Sequence, residues 1–560
     1  MIRSKRRIAV ALAAGAAALA LGLTGCTPST GSDGGGDSSA ALRVWAGSQT
    51  PIVANFNPYA PTVLHAALGP IYETLFFFNK TADEAPTGLV GDSYEFNEDG
   101  TVITVTLKEG VKWNDGEDFT ADDVAFSFNY EANDFANSLG LVSAEASDDT
   151  TVVLTFATPQ FTNEFRILGA TWMIPEHVWS EVDDFTTFTD EQPVGTGPYV
   201  VDSVTDASYT VVANEHFRDE GKPAVKKVQY VGLDANQSAQ DLLTAGELDW
   251  AGMFVPNPDD VTANGIISTI NTPQDPTVLY TCSNAALGCV GEQTDVAVRQ
   301  ALNLAVDRGT IKEKAFVDLT GEISPTFALL PRDAKWVADP ANEVSPQSSD
   351  AAAAGAVLEA AGYAKGADGF YAKDGATIEL DLISVDGWTD YNDAAKLISE
   401  QAAEAGIKVN ATTVQWQEFS DARQTGQFEL IMGGVIGTSV ADPYQIYKDW
   451  FAGGSTVAVG SELAPGTWNF SRYSNPVVDG AVAEAAATND EAAKQAAYAT
   501  IQTEIVRDLP YIPLVINATQ TFYNSKDFTG WPTESDLYAF PPAWGASAAG
   551  FVLANLEPVK

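Results

Sequence analysis

Basic residues, histidine and cysteine are scarce in this 560-residue chain. It contains 30 lysines and arginines against 75 aspartates and glutamates, and without the four bases near its N-terminus 26 remain. Nucleic-acid affinity depends on neutralising phosphates with lysine and arginine, so a nucleic acid is not expected as a partner. The acidity indicates instead a solvated, soluble surface.

The three histidines, His65, His177 and His216, are scattered without the spacing of a metal site. We therefore expect no metal ligands and no cofactor. The sequence also lacks G-x-S-x-G, H-E-x-x-H and any Cys/His nucleophile arrangement, so no catalytic residue is predicted and the chain is not expected to be an enzyme. A secreted glycoside hydrolase is a remote alternative, because a carboxylate pair roughly 5–10 Å apart can always be imagined among so many acids.

The first of the three cysteines ends a targeting segment. Four bases precede the apolar run Ile8–Leu21, which is too short to span a membrane. Residues 23–26, LTGC, resemble a bacterial lipobox, which implies cleavage before Cys26 and diacylation of its thiol. Two acyl chains anchor a protein stably, at about 0.8 kcal/mol per buried methylene. No other apolar run has spanning length, so we expect an exported protein anchored on the outer face of the cytoplasmic membrane.

Cys282 and Cys289 are the remaining cysteines. In an exported protein, a pair so close in sequence indicates a small-loop disulfide, and two buried thiols are the alternative. The chain is too long for one ordinary core, so two or three domains are expected.

Residues 101–130 predict a compact structural unit. Side chains of Thr101–Leu107 alternate with the period of a half-buried strand, and the turn at 97–100 makes 93–96 its antiparallel partner. A helix should then begin at Thr120, with Asp123 completing a capping box. Nothing in this unit is catalytic, so we interpret it as scaffold.

The same stretch resembles the signature region of the family 5 extracellular solute-binding proteins of ABC importers. The pattern D-G-x-x-x-x-x-x-L-x-x-G-V-x-W-x-D-G-x-x-x-T-A-x-D-V runs from Asp99 to Val124. The resemblance implies an α/β fold of the periplasmic-binding-protein type II kind, with three lobes, mixed sheets and a ligand cleft between the two main lobes. It also implies a monomeric lipoprotein that captures a small oligomeric solute outside the cell and delivers it to the transmembrane subunits of an ABC permease.

The resemblance also suggests how the chain is divided. The expected segments are a signal peptide at 1–25, a flexible tether at 26–41, lobe I at 42–78, lobe II at 79–193, a second part of lobe I at 194–290, lobe III at 291–508 and a C-terminal return to lobe I at 509–560. In lobe III, Asp295–Lys312 predicts a single helix. A strand at 378–385, a helix at 392–405 and a strand at 409–414 predict a parallel βαβ unit.

Ligands of open α/β sheets bind beyond the carboxyl ends of strands. This rule selects residues after four predicted strands, namely Gly47 and Ser48, Trp388, Trp416, and 434–442. A tryptophan there can stack on a sugar or wall a side-chain pocket, although Trp388 could equally be a packing aromatic. Trp416 is favoured as a ligand residue, because QWQEF at 415–419 followed by Arg423 resembles the E-W-x-x-F-x-x-x-R of peptide receptors, in which that tryptophan lines the pocket.

Residues 433–447 depart from the peptide-receptor pattern. Those receptors grip the ligand ammonium with an aspartate four residues before a proline, and the residue four before Pro443 here is Ser439. An arginine of oligopeptide receptors corresponds to Met432. Truncating a desolvated charge pair costs about 3–5 kcal/mol, so a free peptide N-terminus is not expected to be held in the usual way. Asp442 is a candidate substitute, but it is also placed to cap the helix that follows Pro443.

The loss of both charges favours a neutral polar ligand, which needs stacking faces and hydrogen bonds. The run 55–79, with Asn57 as a candidate ligand residue, resembles the oligosaccharide-binding branch of the family, which includes cellobiose receptors. A cellobiose-like oligosaccharide is therefore slightly favoured as the cargo, and a di- or oligopeptide is the alternative. Nickel is disfavoured by the sparse histidines.

Overall fold

The computed structural model describes residues 41–133, 138–464 and 466–559. The strands are β1 Leu42–Trp45, β2 Phe76–Phe77, β3 Thr87–Gly88, β4 Gly91–Phe96, β5 Val102–Leu107, β6 Leu141–Asp148, β7 Thr151–Phe156, β8 Tyr199–Val204, β9 Ser208–Ala213, β10 Lys227–Val231, β11 Trp250–Gly252, β12 Ile267–Thr281, β13 Ala364–Lys365, β14 Tyr371–Lys373, β15 Ala376–Thr377, β16 Glu379–Val385, β17 Lys408–Val414, β18 Leu430–Gly434, β19 Tyr511–Asn524, β20 Phe528–Thr529 and β21 Glu557–Pro558.

The α-helices within the described ranges are α1 His65–Ile71, α2 Ala121–Asn129, α3 Glu176–Trp179, α4 Asn236–Ala245, α5 Asp259–Thr262, α6 Val296–Ala305, α7 Arg308–Lys314, α8 Ala351–Ala360, α9 Thr389–Glu404, α10 Trp416–Thr425, α11 Tyr444–Ile446, α12 Pro476–Ala486, α13 Glu491–Asp508 and α14 Ala546–Asn555. Strands and helices alternate along much of the chain, so the expected α/β class is confirmed.

The unit predicted from residues 101–130 is present in full. β5 pairs antiparallel with β4 through Tyr94 and Val105, and its side chains alternate between buried and partly exposed. α2 begins after Thr120, whose capping box with Asp123 is complete. The resulting four-stranded sheet has the order β4-β5-β7-β6 and packs α2 against one face, because Val124 and Phe128 are buried with the inward side chains of β5.

A ten-stranded sheet runs through the rest of the molecule in the order β17-β16-β18-β12-β19-β11-β1-β10-β9-β8. Its centre is the long antiparallel pair β12 and β19. The two strands pair from Ile267, opposite Asn524, to Tyr280, opposite Tyr511. The C-terminal part of β12 pairs with β18, and the C-terminal part of β19 pairs with β11. These two strands therefore join one half of the sheet, β17-β16-β18, to the other, β11-β1-β10-β9-β8.

The register of this central pair shifts between Pro273 and Asp275 and again between Thr277 and Val278. Proline cannot donate to a ladder, and it occurs in sheets mainly at bulges and edges. Pro273 lies at the first register shift and Pro276 just before the second, in the strand pair that joins the two halves of the sheet. We refer to β12 and β19 as the hinge strands.

The predicted βαβ unit is observed as β16, α9 and β17, with β16 and β17 parallel over seven residues. β18 lies parallel to β16 on its other side, so all three strands point their carboxyl ends toward the same edge. That edge carries the candidate site.

The single helix expected over 295–312 is in fact two helices, α6 and α7, and that expectation was wrong. Val306 is extended, and the Asp307 carboxylate caps α7 by accepting the N–H of Thr310 at 2.7 Å. The break turns the Arg308 side chain inward, where it is fully buried and donates to the carbonyl of Pro513 at 2.7 Å. A strong N-cap inside the periodic pattern therefore outweighed the helical continuity.

Cys282 and Cys289 form a disulfide with their Cα atoms 5.4 Å apart. Within the described residues, no helix combines the length and apolarity that crossing a bilayer requires. Cys26, the expected signal peptide and nearly all of the expected tether lie outside the described residues.

Candidate functional site

The chain that follows β18, residues 434–442, runs along the carboxyl edge of the parallel strands and lines two cavities. The first, of about 260 Å³, is enclosed by Gly434–Ile436, Tyr391 and the hinge-strand residues Asp275 and Asn517–Thr519. The second, of about 200 Å³, is lined by Ser439–Asp442 and, from the side of β2 and the four-stranded sheet, by residues 78–86 and 161–165. A ligand lying along residues 434–442 would therefore touch the hinge and both sides of the cleft.

An aromatic cluster stands beside the first cavity. Trp388 and Trp416 are 36% and 50% exposed, which is unusual for large apolar side chains, and their rings are 5.8 Å apart. Trp416 stacks on the buried Phe419, with the two ring centroids 5.7 Å apart and the ring planes at 24°. Trp388 contacts Tyr391, which also lines the first cavity. The pair thus offers an aromatic surface to solvent at the carboxyl ends of β16 and β17.

Arg423 supports this surface from α10. Its guanidinium carbon lies 4.6 Å from the Phe470 ring centroid, 5.5 Å from that of Phe419 and 5.8 Å from that of Trp416. Among the described residues, its buried Nε has no hydrogen-bond partner. The structure therefore places Arg423 among the rings of the aromatic cluster, and it lines neither cavity.

Ser439 and Asp442 both line the second cavity. Asp442 caps the short α11 through the N–H of Tyr444 at 2.8 Å, which is the capping role considered from the sequence. Its carboxylate also lies 3.1 Å from Lys494 Nζ and accepts the hydroxyl of Tyr498 at 2.5 Å. Because the carboxylate is already paired with a protein ammonium, it is not free to hold a ligand ammonium.

Glu164 faces Asp442 across the second cavity. Burial raises the pKa of its carboxyl group, although the Tyr94 hydroxyl donates a hydrogen bond to it. Asp275 lines the first cavity, and burial raises the pKa of its carboxyl group. The carboxylate accepts a hydrogen bond from the N–H of Gly437 at 2.9 Å, which opposes this shift. Both carboxylates are therefore less readily ionised than surface acids.

Like Trp388 and Trp416, the predicted ligand residues Gly47, Ser48 and Asn57 line neither cavity. Gly47 has a positive φ of 88°, and the Ser48 carbonyl accepts the Trp45 indole N–H at 3.1 Å, so both form the turn after β1. Asn57 has no exposed surface, and its side-chain amide donates to the carbonyls of Phe185 and Phe188 at 2.9 and 2.8 Å. These contacts make Asn57 structural in this conformation.

Sequence reasoning missed the residues that converge on the middle of the cleft. The Arg332 guanidinium donates a hydrogen bond to the Asp333 carboxylate at 2.7 Å. It also donates to the backbone carbonyls of Lys80 at 2.6 Å and Thr438 at 2.9 Å. It therefore joins the chain after β2 to residues 434–442. A usable signal existed for Asp275 alone, since the sequence NTPQDP at 271–276 places two prolines within a strand pattern and so marks a bulge.

Within the described ranges, no group of three or more His, Cys, Asp or Glu residues is arranged to hold a metal ion. The site therefore consists of an aromatic surface, two cavities and paired charges.

The family model for bacterial extracellular solute-binding proteins, family 5 Middle, matches residues 85–458. The chain belongs to this family. It is the substrate-binding protein of an ABC importer, because family 5 solute-binding proteins are transport receptors that deliver their ligands to ABC permease subunits.

Several relatives of this family 5 protein match over most of its length. Protein XP55 of Streptomyces lividans is 29% identical over 525 residues, covering 91% of this chain and 90% of the relative. The glutathione-binding protein GsiB of Escherichia coli K12 is 27% identical over 511 residues, covering 86% and 90%. The similarity to these relatives thus extends well beyond the signature region at residues 99–124.

Solved structures show the same fold. A periplasmic oligopeptide-binding protein of an oligopeptide ABC transporter from Thermotoga maritima has a TM-score of 0.82 at 25% identity, covering 94% of this chain and 100% of that one. The same protein with bound mannohexaose has a TM-score of 0.74, also at 25% identity, covering 93% and 99%. The expected type II periplasmic-binding-protein fold is therefore confirmed.

Proposed function

We propose that this family 5 receptor captures an oligosaccharide in the cleft along residues 434–442 and presents it to its permease. The observation that carries the proposal is the exposed pair Trp388 and Trp416, which pack on Phe419 and on Tyr391, a residue that lines a cavity of about 260 Å³. Sugars present flat C–H faces that stack on aromatic rings, and their hydroxyl groups need hydrogen bonds rather than ion pairs.

The second cavity supports the same conclusion. Ser439 supplies a hydroxyl where peptide receptors supply a carboxylate, and Asp442 is neutralised by Lys494. A ligand ammonium would find no uncommitted lobe III carboxylate at that position. The structural relative from T. maritima with bound mannohexaose adds support, since it shares the fold over 93% of this chain.

Peptide capture is the second candidate function, favoured by a different observation. GsiB, which is named as glutathione-binding, is similar over 86% of this chain, and Asp275 places a carboxylate at the floor of the first cavity. A peptide ammonium could use that carboxylate in place of the missing aspartate.

Isothermal titration calorimetry against cello- and xylo-oligosaccharides and against di- to pentapeptides separates the two candidates. We expect binding to oligosaccharides, with a rise in Tm because the ligand binds the folded state alone. Micromolar binding to peptides with no response to sugars would defeat the oligosaccharide proposal. Chromatography of the same mixtures tests for catalysis, and release of shorter products at catalytic protein concentrations would show an enzyme instead of a receptor.

We further propose that the receptor is a monomeric lipoprotein, held through Cys26 and the tether at 26–41 on the outer face of the cytoplasmic membrane. The support is the leader and the LTGC box of residues 23–26. This arrangement would let the body sample the space above its permease while two acyl chains keep it at the membrane.

A further inference from the structure

Lys80 lies where the two sides of the cleft meet. It follows β2, and its carbonyl accepts a hydrogen bond from Arg332 at 2.6 Å. The same guanidinium group donates to Thr438 within residues 434–442. The backbone of Lys80 is therefore fixed to the segment that lines both cavities.

The ammonium of Lys80 faces an aromatic ring. Its Nζ lies 3.8 Å from the centroid of the Phe540 ring. In the part of the chain that the structure describes, no carboxylate oxygen lies within 4.0 Å of it, and it donates no hydrogen bond. By contrast, the neighbouring cations each have a carboxylate partner: Lys494 has Asp442 at 3.1 Å, Lys335 has Asp83 at 2.8 Å and Arg332 has Asp333 at 2.7 Å.

Arg423 shares this arrangement, since in the described part of the chain it also lies over aromatic rings with no carboxylate oxygen within 4.0 Å. A ring face stabilises an ammonium by roughly 0.5–2 kcal/mol. A ligand anion could therefore add a contact to Lys80 without displacing a carboxylate of the protein.

The surroundings of Lys80 favour an anion. Asp275 attracts the ammonium from beyond ion-pair distance, but its carboxylate already accepts the N–H of Gly437. Burial lowers the pKa of Lys80 to about 8, and repulsion by Arg332 adds to this effect while Asp275 opposes it. A carboxylate placed between the two cations would relieve both the desolvation and the repulsion.

We propose that Lys80 binds a carboxylate of the ligand, so that the preferred cargo is an acidic oligosaccharide, one bearing a uronic or aldonic acid group. This inference rests on the proposed function for its saccharide part. The carboxylate would approach Lys80 Nζ from the open side of the Phe540 ring, while neutral sugar units extend along residues 434–442 toward the tryptophan pair. A peptide carboxylate has the same chemistry at this position, so the test includes both sources.

The test is calorimetry with chemically matched ligands. The probes are a neutral tetrasaccharide, the same tetrasaccharide with a terminal carboxylate, and an N-acetylated tetrapeptide with a free or an amidated C-terminus. We expect the wild type to bind the carboxylated saccharide about 10- to 100-fold more tightly than the neutral one, the range of a charge-assisted hydrogen bond. Lys80→Met should remove this preference and leave the affinity for the neutral saccharide unchanged, whereas Lys80→Arg should retain the preference.

Lys373→Met is the matched control. Lys373 also lies over an aromatic ring, that of Tyr363 at 5.0 Å, but it has a carboxylate partner in Asp295 at 3.6 Å. This variant should bind every probe as the wild type does.

Three outcomes would count against the proposals in different ways. Equal affinity of the wild type for the neutral and the carboxylated saccharide would overturn the role of Lys80 and leave the oligosaccharide function intact. A uniform loss of affinity for all ligands in Lys80→Met would also overturn it, by showing a structural role. If only the peptide with a free C-terminus binds, and Lys80→Met removes that preference, the carboxylate contact stands and the saccharide cargo is wrong.

Discussion

Lys494 Nζ lies 3.1 Å from Asp442 Oδ2 within the cavity that Ser439 also lines, and the two side chains are only 10% and 15% exposed. The pair leaves the Asp442 carboxylate matched by a protein cation, although Asp442 lies next to Pro443. Its two charges neutralise each other, and Tyr498 and the N–H of Tyr444 occupy further carboxylate lone pairs.

Removing one partner of this pair should destabilise the protein. Asp442→Asn leaves the Lys494 ammonium buried without a counter-charge, and we expect the free energy of unfolding to fall by about 3–5 kcal/mol. The double variant Asp442→Asn/Lys494→Met removes both charges and should recover most of that loss. Urea unfolding of the three proteins measures the effect. Equal stability of the wild type and Asp442→Asn would show that the pair contributes nothing.

A second prediction concerns the pH dependence of stability and the buried residue Asp190, which contacts Tyr72. Burial raises the pKa of the Asp190 carboxyl to about 6, although the Tyr72 hydroxyl donates a hydrogen bond to it. Its ordinary value is about 4, so between pH 4 and 6 the folded state holds more protons than the unfolded state. The contribution of Asp190 to stability is therefore present below about pH 4 and is lost as the pH rises to about 6.

Asp190→Asn should remove this loss. Asparagine tolerates the positive φ of 46° at this position and can still accept from Tyr72. We expect the variant to gain stability over the wild type as the pH rises from 4 to 7, by at most about 3 kcal/mol. Thermal unfolding at pH 4 and pH 7 checks the gain. A difference between the two proteins that does not change with pH would contradict the prediction.

Local patterns predicted the scaffold well and the cleft only in part. The hairpin and the capping box at Thr120 depend on residues near each other in sequence, so their periodicity and turns specify them. Trp388 and Trp416 were found because the carboxyl ends of parallel strands share one edge.

The middle of the cleft could not be predicted in this way. Lys80, Arg332 and Phe540 come from distant parts of the chain and meet only through the hinge strands and the C-terminal segment. The individual residues carry no local signal, since a lysine after a short strand is normally a solvated side chain. Asn57 stays a predicted ligand residue whose side chain makes internal hydrogen bonds in this conformation.

A third prediction concerns the membrane anchor. Replacing Cys26 by serine removes the thiol that would be acylated, so the protein should move from the membrane fraction to the medium or the soluble fraction of the producing cells. Fractionation and mass spectrometry of the mature N-terminus provide the measurement. Cys282→Ser/Cys289→Ser is the control, because it removes the other two cysteines and should leave the protein at the membrane. Unchanged partitioning of Cys26→Ser would exclude the anchor.

The last prediction concerns Trp416, which presents half of its surface to solvent and rests on Phe419. Truncation to alanine should weaken oligosaccharide binding by about 1–3 kcal/mol, the cost of losing an aromatic anchor. Stability should change little, because an exposed ring adds little to the core. Trp416→Phe keeps a stacking face and should retain most of the affinity. Calorimetry and Tm distinguish these cases, and an unchanged affinity in Trp416→Ala would remove this residue from the site.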